Sequence, residues 1–289
     1  MLRARPTLRS VVVPEGVQEI HAYLTYQCSL ACEDCTNNLV ARKEPKALLS
    51  GRQWVEGLSR LERPAPVVIR GGEPSQHPGF FEIMEHLSTR QPLRLITNLE
   101  FDVNELPGRV NPDRMNAEGS WAPIRATFHL GRTDPEIMLE KVLYLEEVGF
   151  RVGVMAMARP GEGEVLEDIQ RWFLSWGTDF RIRPFVGYSD GKLVGNFRYP
   201  NATGQGEGAA GICRTSELHV GPDGRVYHCR HDCFGAAAAT GQLLDSELTL
   251  SVRHRPCPSY GLCHPCDVES RPTCFKGSRR TAVEILEAD

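Results

Sequence analysis

Cys28, Cys32 and Cys35 stand in the run Cys28-Ser29-Leu30-Ala31-Cys32-Glu33-Asp34-Cys35, a C-x3-C-x2-C spacing. Three thiolates are one short of the four that normally hold a [4Fe–4S] cube, so a cube held here keeps one iron open to a small molecule. A structural zinc site needs a fourth ligand close by. The nearest histidine, His21, precedes the loop on a predicted strand, which favours the open cluster. Some 35 residues on comes Val67-Val68-Ile69-Arg70-Gly71-Gly72-Glu73-Pro74, an apolar strand running into a glycine turn and a carboxylate. Gly71 and Gly72 let the backbone approach a ligand without Cβ atoms in the way. Polar main-chain groups at that strand end can then meet an ammonium group.

Three further side chains end predicted strands on the same side. Asn98 follows Thr97 and is either a ligand contact or a turn-forming asparagine. His129 is either a contact for a carboxylate or a hydrogen-bonded core histidine. Arg183 is either a carboxylate partner or half of a rim ion pair. The chain has ten cysteines, and after Cys35 none occurs until Cys213. The late seven are Cys213, Cys229, Cys233, Cys257, Cys263, Cys266 and Cys274. Clustered cysteines without a secretory signal point to metal rather than disulfides. They can make one closed cluster plus one with an open iron, or a single cluster from Cys213, Cys229, Cys263 and Cys266 with the others free. A zinc ribbon in which His228, His231 or His264 joins them is the plain alternative.

These residues need a scaffold, and the sequence predicts one. Strands are expected at 17–26, 67–70, 93–97, 125–130, 151–156 and 180–184. Helices fill the gaps, with apolar stripes at Trp54, Leu58 and Leu61; at Phe80, Ile83, Met84 and Leu87; at Met138, Val142 and Leu145; and over 165–176. Ser50 and Gln53 make a capping box, and Asp134-Pro135 starts a helix. Strand–helix alternation repeated six times implies a parallel sheet with helices outside. Residues 1–16 read as an arm, 100–123 as irregular, and 187–212, rich in glycine, as a linker and active-site loop. Glu217–Cys229 reads as a β-hairpin about Gly221-Pro222-Asp223-Gly224. The tail, 281–288, carries a short helical pattern. A net charge of −4 gives no reason to expect nucleic acid. No apolar run is long enough for a membrane span, and the expected location is cytoplasmic.

The cysteine triad and the Gly-Gly-Glu-Pro turn together resemble the radical S-adenosylmethionine (radical SAM) superfamily. That resemblance implies an α/β fold, a partial (β/α)6 TIM-like barrel, with the triad holding a [4Fe–4S] cluster that binds S-adenosylmethionine. It implies reductive cleavage to a 5′-deoxyadenosyl radical that abstracts a substrate hydrogen. Gly71, Gly72 and Glu73 then meet the methionine amino group, with Asn98 and His129 as further cofactor contacts. Thr97-Asn98-Leu99 is similar to the family's Thr-Asn-Gly, with Leu99 in the glycine's place. Asp34 stands where an aromatic residue commonly precedes the third cysteine. Cys213-x10-Gly224-x4-Cys229 is similar to the opening of SPASM and twitch modules, which hold auxiliary [4Fe–4S] clusters. The later spacing, Cys257-x5-Cys263-x2-Cys266-x7-Cys274, departs from the usual SPASM order. The expected division is a radical SAM core over 1–188 and a small cysteine-rich module over 189–289, with one or two auxiliary clusters. A flavodoxin- or ferredoxin-type reductant is the expected electron source. Only about 16 residues precede the first strand, so a small molecule such as an amino sugar or cyclitol, dehydrogenated or epimerised, is the expected substrate. A peptide or protein maturase is the alternative, and a non-catalytic iron–sulfur or zinc protein the third reading.

Overall fold

The structure is a computed structural model. It describes residues 8–32, 35, 45, 47–62, 65–115, 121–185, 187–194, 209–235, 239–260 and 283–287. Cys263, Cys266, Cys274, His264 and Asp34 lie outside the described residues.

Six strands form one end of an open sheet: β2 (Glu19–Tyr23), β4 (Val67–Arg70), β5 (Leu93–Thr97), β6 (Ile124–Phe128), β7 (Val152–Ala158) and β8 (Asp179–Pro184), with β8 at the edge. They lie side by side in that order, and every neighbouring pair is parallel. The expected rhythm is therefore present strand for strand, and β2 and β8 do not pair with each other, which leaves the barrel partial. One sheet face carries Ile20, Ala22, Val67, Ile69, Leu93, Leu95, Ile124, Ala126, Val152 and Val154, all in the apolar core. Helices α1 (Gly51–Ser59), α2 (Phe80–Ser88), α3 (Pro112–Met115), α4 (Pro135–Glu147) and α5 (Gly163–Ser175) fall between the strands in sequence.

The helix signals act as the sequence implies. Ser50 accepts from the Gln53 amide while the Gln53 side chain receives the Ser50 N–H, closing the capping box at α1. Asp134 accepts from the amides of Glu136 and Ile137 at the start of α4. Phe80, Ile83, Met84 and Leu87 of α2 are all buried, at roughly 1.5–3 kcal/mol each. Leu61 is different. The first helix ends before it, and Leu61 enters β3 (Leu61–Glu62), a parallel partner of β1 (Val11–Val12) in the N-terminal arm. Residues 100–123 also hold one 3-10 turn and α3.

Of the stretch read as a linker, 187–194 and 209–212 lie in strands and a turn, and 195–208 lie outside the described residues. β9 (Gly187–Ser189) and β10 (Lys192–Val194) pair antiparallel. β11 (Ala209–Thr215) lies between β15 (Arg255–Tyr260) and β16 (Val283–Glu287), antiparallel to both. The expected helix in the tail is thus a strand. A five-residue apolar pattern does not separate the two periods, and pairing with β11 decides it. The expected hairpin is present as β12 (Glu217–Val220) and β13 (Arg225–Tyr227), with Gly224 at φ +80° in the turn. It is joined to the main sheet: β12 runs parallel to β2, and β14 (Gly241–Gln242) closes the far edge beside β13. A short helix, α6 (Arg230–Gly235), follows the hairpin. Among the described residues, no helix is long and apolar enough to cross a membrane.

Candidate functional site

Parallel strands that emerge side by side present their carboxyl ends to one crevice. Here β2, β4, β5 and β6 are neighbours, and each is followed at once by a candidate residue. The cysteine loop follows β2, Gly71-Gly72-Glu73 follows β4, Asn98 follows β5 and His129 follows β6.

The first two motifs are tied through the backbone. The Gly72 amide donates to the Thr25 carbonyl (2.9 Å), and the Glu73 amide donates to Gln27 (2.7 Å), the residue just before Cys28. This closeness explains the glycines. A Cβ on Gly71 would lie 2.4 Å from the Thr25 carbonyl oxygen, and one on Gly72 would lie 2.0 Å from that of Gln27. In this structure the glycines serve first to dock the turn against the root of the cysteine loop.

Glu73 is buried and does a second piece of positioning. Oε1 accepts from Thr97 Oγ1 (2.7 Å), Ser75 Oγ (2.8 Å) and the Ser75 amide (3.1 Å). Oε2 accepts from the Asn98 amide (2.8 Å). Burial pushes the carboxyl up from its ordinary value, against the pull of these donors from Asn98, Thr97 and Ser75. Glu73 therefore staples the end of β4 to the end of β5. The amide in Glu73→Gln offers only one acceptor atom to these donors. We expect thermal unfolding to show a loss of about 1–3 kcal/mol; unchanged stability would remove the staple from the account.

Just past the stapled strand end, Leu99 has a left-handed backbone, φ +59°, the conformation glycine adopts at no cost. Its amide donates to Thr97 Oγ1 (3.0 Å), and its side chain is buried in the core. The departure from the family's glycine thus keeps the glycine-like conformation and adds an apolar anchor. Asn98 Oδ1 accepts from the Glu100 amide, whereas its buried Nδ2 has no hydrogen-bond partner among the described residues. A buried amide donor left open beside the cysteine loop suits a polar ligand.

Other neighbours hold the loop. His129 Nδ1 lies 3.7 Å from Cys32 Sγ, and its Nε2 lies 3.3 Å from Thr127 Oγ1. Arg132 donates to the Leu30 carbonyl (2.8 Å). Glu100 accepts from Ser29 and from Gln76, linking the loop to the turn after Glu73. At the root, Tyr26 donates to the Cys233 carbonyl (3.1 Å) within a buried cluster of Tyr23, Tyr26, Tyr227, Cys233 and Phe234. Burial raises the Cys28 thiol, as do the Glu73 and Glu100 charges, while backbone amides of Leu30 and Ala31 pull it down. A thiol between carboxylates is poised for a cation, whose charge reverses that balance. Three thiols on one loop, oriented amides at sulfur and an open Asn98 donor fit an iron–sulfur cluster with a polar cofactor beside it.

The late cysteines divide. Cys213 on β11 hydrogen-bonds Cys257 on β15. Arg255 donates to Cys229 Sγ (3.1 Å) and ion-pairs Asp232. Cys213, Cys229 and Cys257 thus form one buried group around Arg255. Cys233 faces elsewhere, with its sulfur 3.3 Å from Tyr26 Oη. Burial raises the thiols of Cys229 and Cys233 to about 12.

Sequence reasoning missed a polar cluster on the inner sheet face. Glu19-Ile20-His21 and Glu217-Leu218-His219 repeat one pattern, and the parallel register sets Glu19 beside Glu217 and His21 beside His219. The two imidazoles stack at 4.9 Å. The repeated alternation of acid and histidine was the available signal. Glu19, His21 and Glu217 gather ligand atoms within 4.8 Å of one another. An arginine only donates, so Arg70 at 3.2 Å makes His21 Nδ1 the acceptor and puts the proton on Nε2. His21 Nε2 lies 3.4 Å from a carboxylate oxygen of Glu19 and of Glu217.

Comparisons with known proteins agree with this geometry. No family model matches the chain. The mycofactocin maturase MftC of Mycobacterium ulcerans (strain Agy99) is 33% identical over 92 residues, 31% of this chain and 22% of that protein. The matched stretch is therefore well short of that relative's full length. The structure of native anSMEcpe with bound AdoMet and Cp18Cys peptide superposes with a TM-score of 0.52 at 12% identity, covering 78% of this chain and 77% of that one. Streptococcus suis SuiB bound to precursor peptide SuiA gives 0.49 at 11% identity, covering 79% and 63%. The anSMEcpe likeness is one of fold. Together with the cysteine loop, the docked Gly-Gly-Glu-Pro turn and the stretch of identity, it makes this chain similar to radical SAM enzymes.

Proposed function

We propose that this chain is a radical SAM enzyme that modifies a peptide. The observation that carries the chemistry is the backbone tie of Gly72 and Glu73 to Thr25 and Gln27, which sets the cysteine loop beside the glycine turn. Cys28, Cys32 and Cys35 would hold the [4Fe–4S] cluster, and Gly71, Gly72, Glu73, Asn98 and His129 would border the S-adenosylmethionine. Together these groups supply reductive cleavage of a sulfonium bond and hydrogen abstraction. The protein's own part is positional. Glu73 and Arg132 hold the strand ends and the loop, and Asn98 Nδ2 offers a buried donor. The Tyr23, Tyr26, Tyr227 and Phe234 cluster shuts water out below the loop.

Residues 1–188 would form the catalytic core and 189–289 the auxiliary module. Cys213, Cys229 and Cys257 are the described thiols best gathered for an auxiliary cluster; Cys263, Cys266 and Cys274 remain ligand candidates. Cys233, paired with Tyr26, is the weakest candidate of the four described late cysteines. The reductant would be of flavodoxin or ferredoxin type.

A peptide replaces the small molecule expected from the sequence. The relative with sequence identity is named a maturase, and the like-folded structure carries a bound peptide; nothing comparable favours an amino sugar or cyclitol. The test is anaerobic incubation with S-adenosylmethionine, dithionite and the short peptides encoded beside its gene, read by mass spectrometry. A peptide mass change that tracks 5′-deoxyadenosine supports the reading. Consumption of an amino sugar or cyclitol, with every peptide unchanged, overturns it.

A further inference from the structure

The sheet face opposite the apolar core is rich in guanidinium groups. Register sets Arg70, Arg94, Arg125, Arg181 and Arg183 on that face, with Glu19, Asp179 and Glu217 as its acids. These acids are already engaged. Glu19 pairs with Arg94, Asp179 with Arg181, and Glu217 with His21 and His219. Arg70 and Arg125 have no carboxylate at ion-pair distance among the described residues, and the buried Nε of each lacks a hydrogen-bond partner. Arg125, Arg181 and Arg183 instead surround Trp121, at 5.2, 4.3 and 5.5 Å from its ring centroid. Arg70 lies over Tyr23 at 5.1 Å.

Such a gathering of like charge is unfavourable on its own. Burial lowers the Arg125 guanidinium to about 10, with Arg94, Arg70 and Arg183 pushing the same way and Glu19 opposing. Guanidinium forks match carboxylates in geometry and are weakly hydrated, so a partly dry arginine cluster is suited to an anion. The place also suits a substrate. Arg125 lies four residues before His129 on β6, roughly 13 Å below the cysteine loop at about 3.3 Å per residue.

We propose that Arg125, with Arg70 and Arg183, forms an anion subsite that holds an aspartate or glutamate side chain of the peptide substrate. This rests on the peptide reading above and adds a substrate class to it. Anchored there, an acidic residue fixes the register in which the peptide presents its target carbon to the strand ends.

The test uses the full chain, reconstituted anaerobically with iron and sulfide. Calorimetry compares a Glu-containing peptide with its Gln counterpart at low salt, alongside succinate and S-adenosylmethionine. We expect the Glu peptide to bind at least about tenfold more tightly, the effect of one charged hydrogen-bonded contact. Arg125→Met should abolish that preference, while affinity for S-adenosylmethionine and peptide-free 5′-deoxyadenosine formation stay unchanged. Arg183→Met serves as the second variant and should reduce the preference if Arg125→Met fails to fold. Equal binding of the two peptides overturns the subsite and leaves the peptide reading standing. So does a preference that survives the folded variants. Weaker S-adenosylmethionine binding with intact peptide preference assigns the cluster to the cofactor's carboxylate and also overturns it. Succinate binding as tightly as the Glu peptide shows a small-anion site, which overturns it too. No binding of either peptide, with 5′-deoxyadenosine still formed, removes both the subsite and the peptide reading.

Discussion

Replacing Cys28, Cys32 and Cys35 together by alanine abolishes 5′-deoxyadenosine formation, a fall of at least about a thousandfold, as expected when the reacting centre itself is removed. The reason lies in ligand arithmetic. Three thiolates leave one iron free, and a loop short of thiolates has nothing to hold the cube. The variants should keep the fold, because these three side chains are only partly buried and lie outside the apolar core. Iron per chain should drop by about one cluster's worth, four atoms, with the remainder retained at the late cysteines. Anaerobic iron analysis beside a chromatographic 5′-deoxyadenosine assay checks both. Turnover that survives the triple substitution would remove the triad from the chemistry.

Gly72→Ala should be nearly as damaging, although it touches no proposed ligand of iron. Its Cβ would sit 2.0 Å from the Gln27 carbonyl oxygen and 2.5 Å from that of Tyr26. Both neighbours are backbone, so relief requires moving the turn away from the cysteine loop. A misplacement of about 1 Å costs a reaction on the order of a hundredfold. We therefore expect 5′-deoxyadenosine formation to fall by about that factor while iron content holds. Gly163→Ala is the control, since a Cβ there meets nothing within 4 Å. Equal activity of the two variants would contradict the docking role of Gly72.

Much of the fold was legible because its signals are local. The six core strands are marked by short β-branched runs separated by amphipathic stripes, and the Ser50 and Asp134 caps mark helix starts outright. Two motifs, the cysteine spacing and Gly71-Gly72-Glu73-Pro74, pointed to one chemistry before any contact was known. What was illegible depends on pairing between distant segments. The strand character of 283–287 arises from its neighbour β11 some seventy residues earlier. The union of β12 with β2 joins residues almost two hundred apart and carries the hairpin onto the main sheet.

Site details obeyed the same rule. The resemblance offered Glu73 as a contact for an ammonium. The structure shows its four acceptor bonds committed to Ser75, Thr97 and Asn98, a staple that no spacing pattern reveals. Likewise Leu99 read as a lost glycine, and only its left-handed backbone shows that the conformation is kept. Spacing left several ways to divide the late cysteines. Their side-chain neighbours separate Cys213, Cys229 and Cys257, around Arg255, from Cys233, beside Tyr26. The arginine face was hidden because its members come singly, from separate strands.

In the proposed function the N-terminal trio holds a cluster with an iron corner open to S-adenosylmethionine. Electron paramagnetic resonance of the anaerobic, dithionite-reduced protein tests it most directly. The expected spectrum contains a reduced-cluster component that changes shape when S-adenosylmethionine is added and that is lost in Cys28→Ala, while the component from the late cysteines stays. A spectrum with no component sensitive to S-adenosylmethionine, or a protein that binds zinc at the trio and no iron, would contradict it.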